Sequence, residues 1–300
     1  MAVSLPILHE LPSGYFVDES PQGILALHVA VARAIHGTGY GPEHDGELCQ
    51  SELSGRRPLF ELEAEGERFV VRRFSHGGLM RWVTGERYLN PERPFRELIL
   101  SDTLRRAGIA TPQVVAARAR PASGGGWYLD LVSRRIDGTT DLGFLLGQAR
   151  LGKLQVGPKR ALLRALGALV RQMHRHGFLH ADLTPTNVLV NSGVVDGEEP
   201  ELWVIDLDQS EVKKKPSRME VSRNLRRLFR YVSRREGDTG RGMSRTDYAR
   251  FMSAYEPERE RRRDILRSVH TAHRRRRLYH GLGWFFERVF RQRVDPREAL

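Results

Sequence analysis

The stretch from Pro158 to Asp206 limits the possible folds more than any other part of the chain. After Pro158 a run of apolar residues follows helical spacing, and Gly177 is placed to end that helix: Leu162, Leu166, Leu169 and Met173. A polar loop, 180–187, comes next, and two short apolar runs, 188–190 and 202–205, follow it. This order predicts a buried helix that delivers a polar loop to a β-hairpin.

The part of the chain before this helix has a different pattern. Short alternating apolar runs between about residues 48 and 74, with glycine turns at Gly55 and Gly66, predict a small antiparallel sheet, and residues 127–132 predict a further strand. Between them, Pro94 and Gly108 bracket a helix. We therefore expect an α+β fold of two lobes, a β-rich N-lobe with one key helix and a mainly helical C-lobe.

These patterns divide the chain into four parts. Residues 1–47 are expected to be an N-terminal extension packing on the N-lobe, and residues 48–133 the N-lobe itself. Residues 134–256 form the C-lobe with the loop 180–187, and residues 257–300 a basic, aromatic helical extension. The glycine-rich run 37–41 lies too far ahead of the sheet to be part of one hairpin, and we expect it to be a flexible loop.

The polar loop has the residue types that phosphoryl transfer requires. In its pattern H-x-D-x-x-x-x-N, Asp182 can meet an incoming hydroxyl group, and the amide oxygen of Asn187 can reach a metal ion. Asp206 ends an apolar strand, where a buried carboxylate would need a cation beside it. Glu97 shares a helix face with leucines and also needs a partner cation.

Taken together, these residues resemble those of the protein-kinase superfamily, and more narrowly the lipopolysaccharide kinases, closest to the 3-deoxy-D-manno-octulosonic acid (Kdo) kinases. The resemblance runs from about Gly55 to Leu228. It implies a bilobal kinase-like fold, ATP and Mg²⁺ as cofactors, Asp182 as the catalytic base, and Asn187 and Asp206 as metal ligands.

The resemblance also implies an ATP-binding role for Gly55, Arg72 and Glu97. Arg72 stands where most kinases have a lysine, although Arg73 is adjacent and leaves the choice between them open. Gly55 stands in the place of the glycine-rich phosphate loop without its full pattern, and Asp208 is an alternative metal ligand.

Each assignment has a plainer alternative. Asp182 and Asn187 could cap backbone groups in an ordinary turn, and Asp206 could be a turn residue. Glu97 could be an exposed helix residue, and Arg72 could form a surface ion pair. We assign His180 to packing and hydrogen bonding.

The charge of the chain, +12, is concentrated near its C-terminal end. From Lys213 to His280 there are 22 Lys and Arg residues against 8 Asp and Glu residues. The arginine run 274–277 precedes several aromatic residues, a combination that suits a helix lying on an anionic membrane, although a C-lobe helix with solvated arginines fits equally well. With one cysteine, Cys49, and without a signal-peptide pattern, we expect neither disulfides, export nor a membrane span.

The resemblance implies an enzyme that phosphorylates the 4-hydroxyl of Kdo on a lipid-A precursor, at the cytoplasmic face of the inner membrane. We expect the lipopolysaccharide precursor and the anionic membrane surface as partners, no nucleic acid and no obligate protein partner. A heptose kinase of the lipopolysaccharide core, or a kinase for another small molecule or a protein, is the alternative. An inactive kinase-like scaffold that binds nucleic acid or membrane through its basic region is an alternative of another class.

Overall fold

The computed structural model of the chain describes residues 5–53, 58–75, 87–239 and 243–267. The described residues of the N-lobe form seven strands and two α-helices: β1 (Tyr15–Ser20), β2 (Gly23–His28), α1 (Ala32–Gly37), β3 (Cys49–Gln50), β4 (Phe60–Ala64), β5 (Glu67–Arg73), α2 (Arg93–Arg106), β6 (Val114–Pro121) and β7 (Trp127–Arg134). The strands form one antiparallel sheet in the order β1-β2-β6-β7-β5-β4-β3. The predicted small sheet is therefore enlarged by the hairpin β1–β2 and by β6, which the sequence pattern did not reveal.

The remaining elements form the C-lobe. They are β8 (Thr139–Asp141), α3 (Leu142–Arg150), α4 (Val156–Arg175), β9 (Phe178–Leu179), β10 (Val188–Asn191), β11 (Leu202–Val204), β12 (Glu211–Val212), α5 (Arg218–Thr239) and α6 (Arg245–Tyr255). Helix α4 is the predicted buried helix, because its four spaced apolar side chains are all buried in one core with α5 and α6. Gly177, at a φ of +78°, follows its end as expected.

Both faces of the N-lobe sheet are covered. Helix α2 and the first turn of the chain, 6–10, pack on one face, whereas α1 and the segment 38–47 pack on the other. Because β2 lies between two neighbouring strands and under two layers, five of its six residues are buried.

The glycine-rich segment expected to be a flexible loop is instead packed against the sheet. Tyr40 has no exposed surface and lies under the guanidinium of Arg118, 4.1 Å from the ring centroid. Arg118 is itself fully buried, pairs with Asp45 of the same segment at 2.6 Å and with Asp130 of β7, and donates to two backbone carbonyls. A buried guanidinium needs all these partners, and they hold the segment in place.

No helix among the described residues is long and apolar enough to cross a membrane. The predicted extension 257–300 is described only as far as residue 267, so the arginine run 274–277 lies outside the described residues. The four-part division of the chain stays a prediction.

Candidate active site

The loop 180–187 is tied to the core of the C-lobe at its first residue. His180 is buried, its Nε2 donates to the carbonyl of Ile205 at 3.0 Å, and its Nδ1 accepts from the backbone N–H of Asp182 at 3.0 Å. Both ring nitrogens are thus used by a neutral imidazole. Burial is the main cause that lowers the pKa of His180 below its ordinary value. The ring therefore joins the loop to the strand that leads to Asp206.

Asp182 and Asn187 lie at the two ends of one tight turn. The side-chain amide of Asn187 donates to the backbone carbonyl of Asp182 at 2.8 Å. This bond uses the amide nitrogen and turns the amide oxygen the other way, where it can serve as a metal ligand. The side chain of Asp182 is 42% exposed, so a substrate hydroxyl group can reach it.

Asp206 follows β11 and meets this turn through the backbone. The N–H of Ile205 donates to the carbonyl of Asn187 at 3.0 Å, which places Asp206 next to Asn187. Asp206 has a φ of +58°, in the left-handed region that short polar side chains tolerate and that recurs among residues of functional sites. Its side chain is 46% exposed, so the expectation of a buried carboxylate is wrong, although a cation does lie beside it.

That cation is Arg72, whose direction follows from strand alternation. Successive side chains of β5 point to opposite faces of the sheet, so Arg72 faces α2 and the cleft, whereas Arg73 faces Asp45 at 2.6 Å. Arg72 forms an ion pair with Glu97 and a second with Asp206 at 2.5 Å. The structure thus brings Arg72 to Glu97 and leaves Arg73 on the other side.

The environment of this ion pair shifts the pKa of both Glu97 and Arg72. Burial is the largest influence on Glu97 and raises its pKa to about 7, while Arg72 opposes the rise and the carboxylates of Asp206 and Asp208 add to it. Burial disfavours the charged form of Arg72, but Glu97 and the two aspartates outweigh it and raise its pKa above the ordinary value. The guanidinium therefore stays charged in the cleft.

Asp208 is engaged elsewhere. Arg93, at the first turn of α2, donates from Nε to its Oδ1 at 3.1 Å and from Nη2 to its Oδ2. The N–H of Leu207 donates to Glu97 at 3.2 Å. These three hydrogen bonds hold the segment 206–208 of the C-lobe against α2 of the N-lobe. The carboxylate of Asp208 thus joins the two lobes.

Helix α5 contributes residues that sequence reasoning missed. Asn224 donates to the backbone carbonyl of His180 at 2.6 Å, and Nη1 of Arg227 lies 3.7 Å from Oδ1 of Asp182. No local pattern marks these residues or Arg93, because each joins the site only when distant segments meet. Arg93 and Asp208, for example, are 115 positions apart.

Gly55 lies outside the described residues, although β3 and β4 border the loop that contains it. Within the described part of the chain, no group of three His, Cys, Asp or Glu side chains could hold a metal ion. Asn187 and Asp206, whose backbones the Ile205–Asn187 bond holds close together, do offer two side-chain oxygen ligands. Such a pair fits magnesium, which proteins usually hold with one or two carboxylates together with waters and substrate phosphates.

Comparison with known proteins identifies the family of the chain. Residues 45–255 match the model of the "Lipopolysaccharide kinase (Kdo/WaaP) family". The 3-deoxy-D-manno-octulosonic acid kinase of Xanthomonas euvesicatoria pv. vesicatoria (strain 85-10) is 29% identical over 222 residues, 72% of this chain and 83% of that protein. The enzyme of the same name from Mannheimia succiniciproducens is 29% identical over 169 residues, 55% of this chain and 65% of that protein.

A solved structure, "WaaP in complex with acyl carrier protein", matches with a TM-score of 0.54 and 22% identity, covering 83% of this chain and 90% of that one. This likeness confirms the expected kinase-like fold. Fold and relatives define the class: a phosphotransferase with a hydroxyl group as acceptor. The chain belongs to the lipopolysaccharide kinase (Kdo/WaaP) family, which implies ATP as the donor and a lipopolysaccharide precursor as the substrate.

Proposed function

We propose that this enzyme transfers the γ-phosphoryl group of ATP to the 4-hydroxyl of Kdo on a lipid-A precursor. The observation that carries the proposal is the set of contacts that links Asp182 to Asn187, Asn187 to the residue before Asp206, and Asp206 to Arg72 of the N-lobe. The names of the relatives, which are Kdo kinases, support the choice of acceptor.

The donor would bind between the two lobes. Arg72 would contact its phosphates, and the ion pair with Glu97 of α2 would orient that guanidinium. Asn187 and Asp206 would hold magnesium, which neutralises phosphate charge when it is bound. The loop that contains Gly55 remains a proposed phosphate contact.

The exposure of Asp182 and its position in the turn support a role as the base in the transfer. The acceptor oxygen forms a bond to the γ-phosphorus while the bond from that phosphorus to the bridging oxygen breaks, and ADP leaves with the bonding electrons. Asp182 orients the acceptor hydroxyl and takes its proton. Asn187 fixes the backbone of Asp182, so that the carboxylate stays where the acceptor arrives.

The substrate also suggests a place in the cell. A lipid-A precursor is an anionic lipid, and the basic C-terminal part of the chain has the charge to attract such a surface. We propose that the enzyme works as a peripheral protein at the cytoplasmic face of the inner membrane. The absence of an obligate protein partner stays a prediction, which size measurement of the purified enzyme in solution checks.

Mass spectrometry of a Kdo-bearing lipid-A precursor incubated with enzyme, ATP and magnesium tests the function. The expected product is heavier by one phosphate, and fragmentation places that phosphate on Kdo. Asp182→Asn enzyme is the matched control and should form far less of this product in the same time. A phosphate found only on heptose of a longer acceptor would instead make the enzyme a heptose kinase, and absent ATP turnover with salt-sensitive binding to nucleic acid would favour an inactive scaffold.

A further inference from the structure

Arg227 of helix α5 lies on the open side of the candidate base. Its Nη1 is 3.7 Å from Oδ1 of Asp182, and the two side chains are 41% and 42% exposed. At this separation the charges attract each other, but the groups are too far apart for a hydrogen bond. A guanidinium is therefore held beside Asp182 while both groups stay accessible to a substrate.

The position of Arg227 is set by its own helix. One turn earlier, Asn224 is buried and bonded to the carbonyl of His180 at 2.6 Å, and the flanking Leu225 and Leu228 are buried in the C-lobe core. These contacts fix α5 against the loop 180–187. The chain between Asp182 and Asn187 contains neither Lys nor Arg, and Arg227 reaches the base from α5.

Resting on the proposed function, we propose that Arg227 binds the carboxylate of the acid sugar whose hydroxyl group Asp182 activates. Kdo carries this carboxylate and the accepting hydroxyl on the same ring, so the two groups reach neighbouring places on the enzyme together. A guanidinium matches a carboxylate with two parallel hydrogen bonds. Arg223, exposed one turn earlier on the same face of α5, extends the positive surface.

This contact would make Arg227 a specificity-determining residue. Heptose presents hydroxyl groups but has no carboxylate on its ring, so it would leave the guanidinium without its anion. A site built around a charged partner rejects an analogue that lacks it, because the enzyme group then stays unpaired. Arg227 thus favours an acid sugar over a neutral one at the same catalytic loop.

The test compares wild-type enzyme and Arg227→Gln on the Kdo-bearing lipid-A precursor and on its methyl ester, in which the carboxylate is masked. We expect the substitution to raise the KM for the acid about 10- to 100-fold with little change in kcat. On the ester the two proteins should behave alike. Arg227→Lys keeps the charge and should recover part of the loss. Arg164→Gln, at an exposed arginine of α4, removes the same charge and should have no such effect.

Three results would overturn the inference. An equal loss on acid and ester would show that Arg227 only supports Asp182, and a raised KM for ATP would assign it to the donor phosphates. Wild-type enzyme that phosphorylates the ester as efficiently as the acid would refute the carboxylate contact without any variant, even if Arg227→Gln failed to fold. If wild-type enzyme phosphorylates neither lipid, the proposed function itself fails.

Discussion

Asp182 combines exposure, a fixed backbone and a neighbouring cation, and its role can be tested by one substitution. Replacing Asp182 with Ala removes the proton acceptor but none of the backbone bonds that shape the loop. We expect kcat to fall by about 10²–10⁴-fold, as is usual for loss of a general base. The melting temperature should be nearly unchanged, and steady-state kinetics with the purified lipid give the comparison. Unaltered turnover would remove Asp182 from the chemistry.

Asp206 and Asp208 differ in their partners, and this difference predicts different phenotypes. Asp206→Asn weakens a proposed metal ligand, so the magnesium concentration for half-maximal activity should rise and kcat should fall by about 10²-fold. Asp208→Asn instead weakens the pairing with Arg93 and should lower the free energy of unfolding by about 1 kcal/mol. Its magnesium requirement should stay that of the wild type. A raised requirement in Asp208→Asn would make that residue a metal ligand after all.

At the scale of elements, α4, α5 and α6 are joined to the loop by one buried chain of hydrogen bonds. Tyr255 donates to Nδ1 of His174 at 2.8 Å, and Nε2 of His174 donates to Asn224 at 3.1 Å. Asn224 in turn donates to the carbonyl of His180. Each donor is matched by an acceptor only if His174 is neutral, so the chain of bonds depends on its protonation state.

This dependence predicts a loss of stability in acid. Burial lowers the pKa of His174 to about 4, whereas in the unfolded chain the pKa is near 6.5. Below pH 6.5 His174 is therefore protonated in the unfolded state but stays neutral in the folded state. The free energy of unfolding falls as a result by about 3 kcal/mol by pH 4. His174→Gln keeps a donor and an acceptor without titrating. Denaturant unfolding at several pH values should show a shallower loss for this variant; identical slopes would contradict the assignment.

The sequence predicted those elements whose pattern of residue types lies within one short segment. The spacing of apolar residues in α4 and the H-x-D-x-x-x-x-N loop were readable because each lies within one short segment. The sequence pattern did not predict strand β2, because a strand buried on both faces lacks the alternation of apolar and polar residues that marks a half-exposed strand. The choice between Arg72 and Arg73 required the register of β5 against the sheet, and the roles of Arg93 and Arg227 required the meeting of the lobes and helices.

At the scale of the whole molecule, the family match and the folding unit do not coincide. The match covers residues 45–255, yet residues before it supply fully buried side chains to both N-lobe cores: Leu25, Ala26, Leu27, Ile35 and Tyr40. Without them, β6 would become an exposed edge and Arg118 would lose its cover. We expect the isolated fragment 45–255 to lack a cooperative thermal transition. A circular dichroism melt as sharp and as high as that of the full chain would refute this.

Arg72 serves two carboxylates at once, and this sharing makes the binding of donor and metal interdependent. A metal ion that binds Asp206 would break its ion pair with Arg72 and leave one side of the guanidinium available to phosphates. Phosphates that bind the guanidinium would in the same way leave Asp206 available to the metal ion. Binding of either ligand therefore favours binding of the other, with a coupling free energy of about 1–3 kcal/mol, which is typical of such linkage. Calorimetry should show that magnesium strengthens ATP binding more in the wild type than in Arg72→Gln. An equal effect of magnesium on ATP affinity in both proteins would show that Arg72 does not couple the binding of the two ligands.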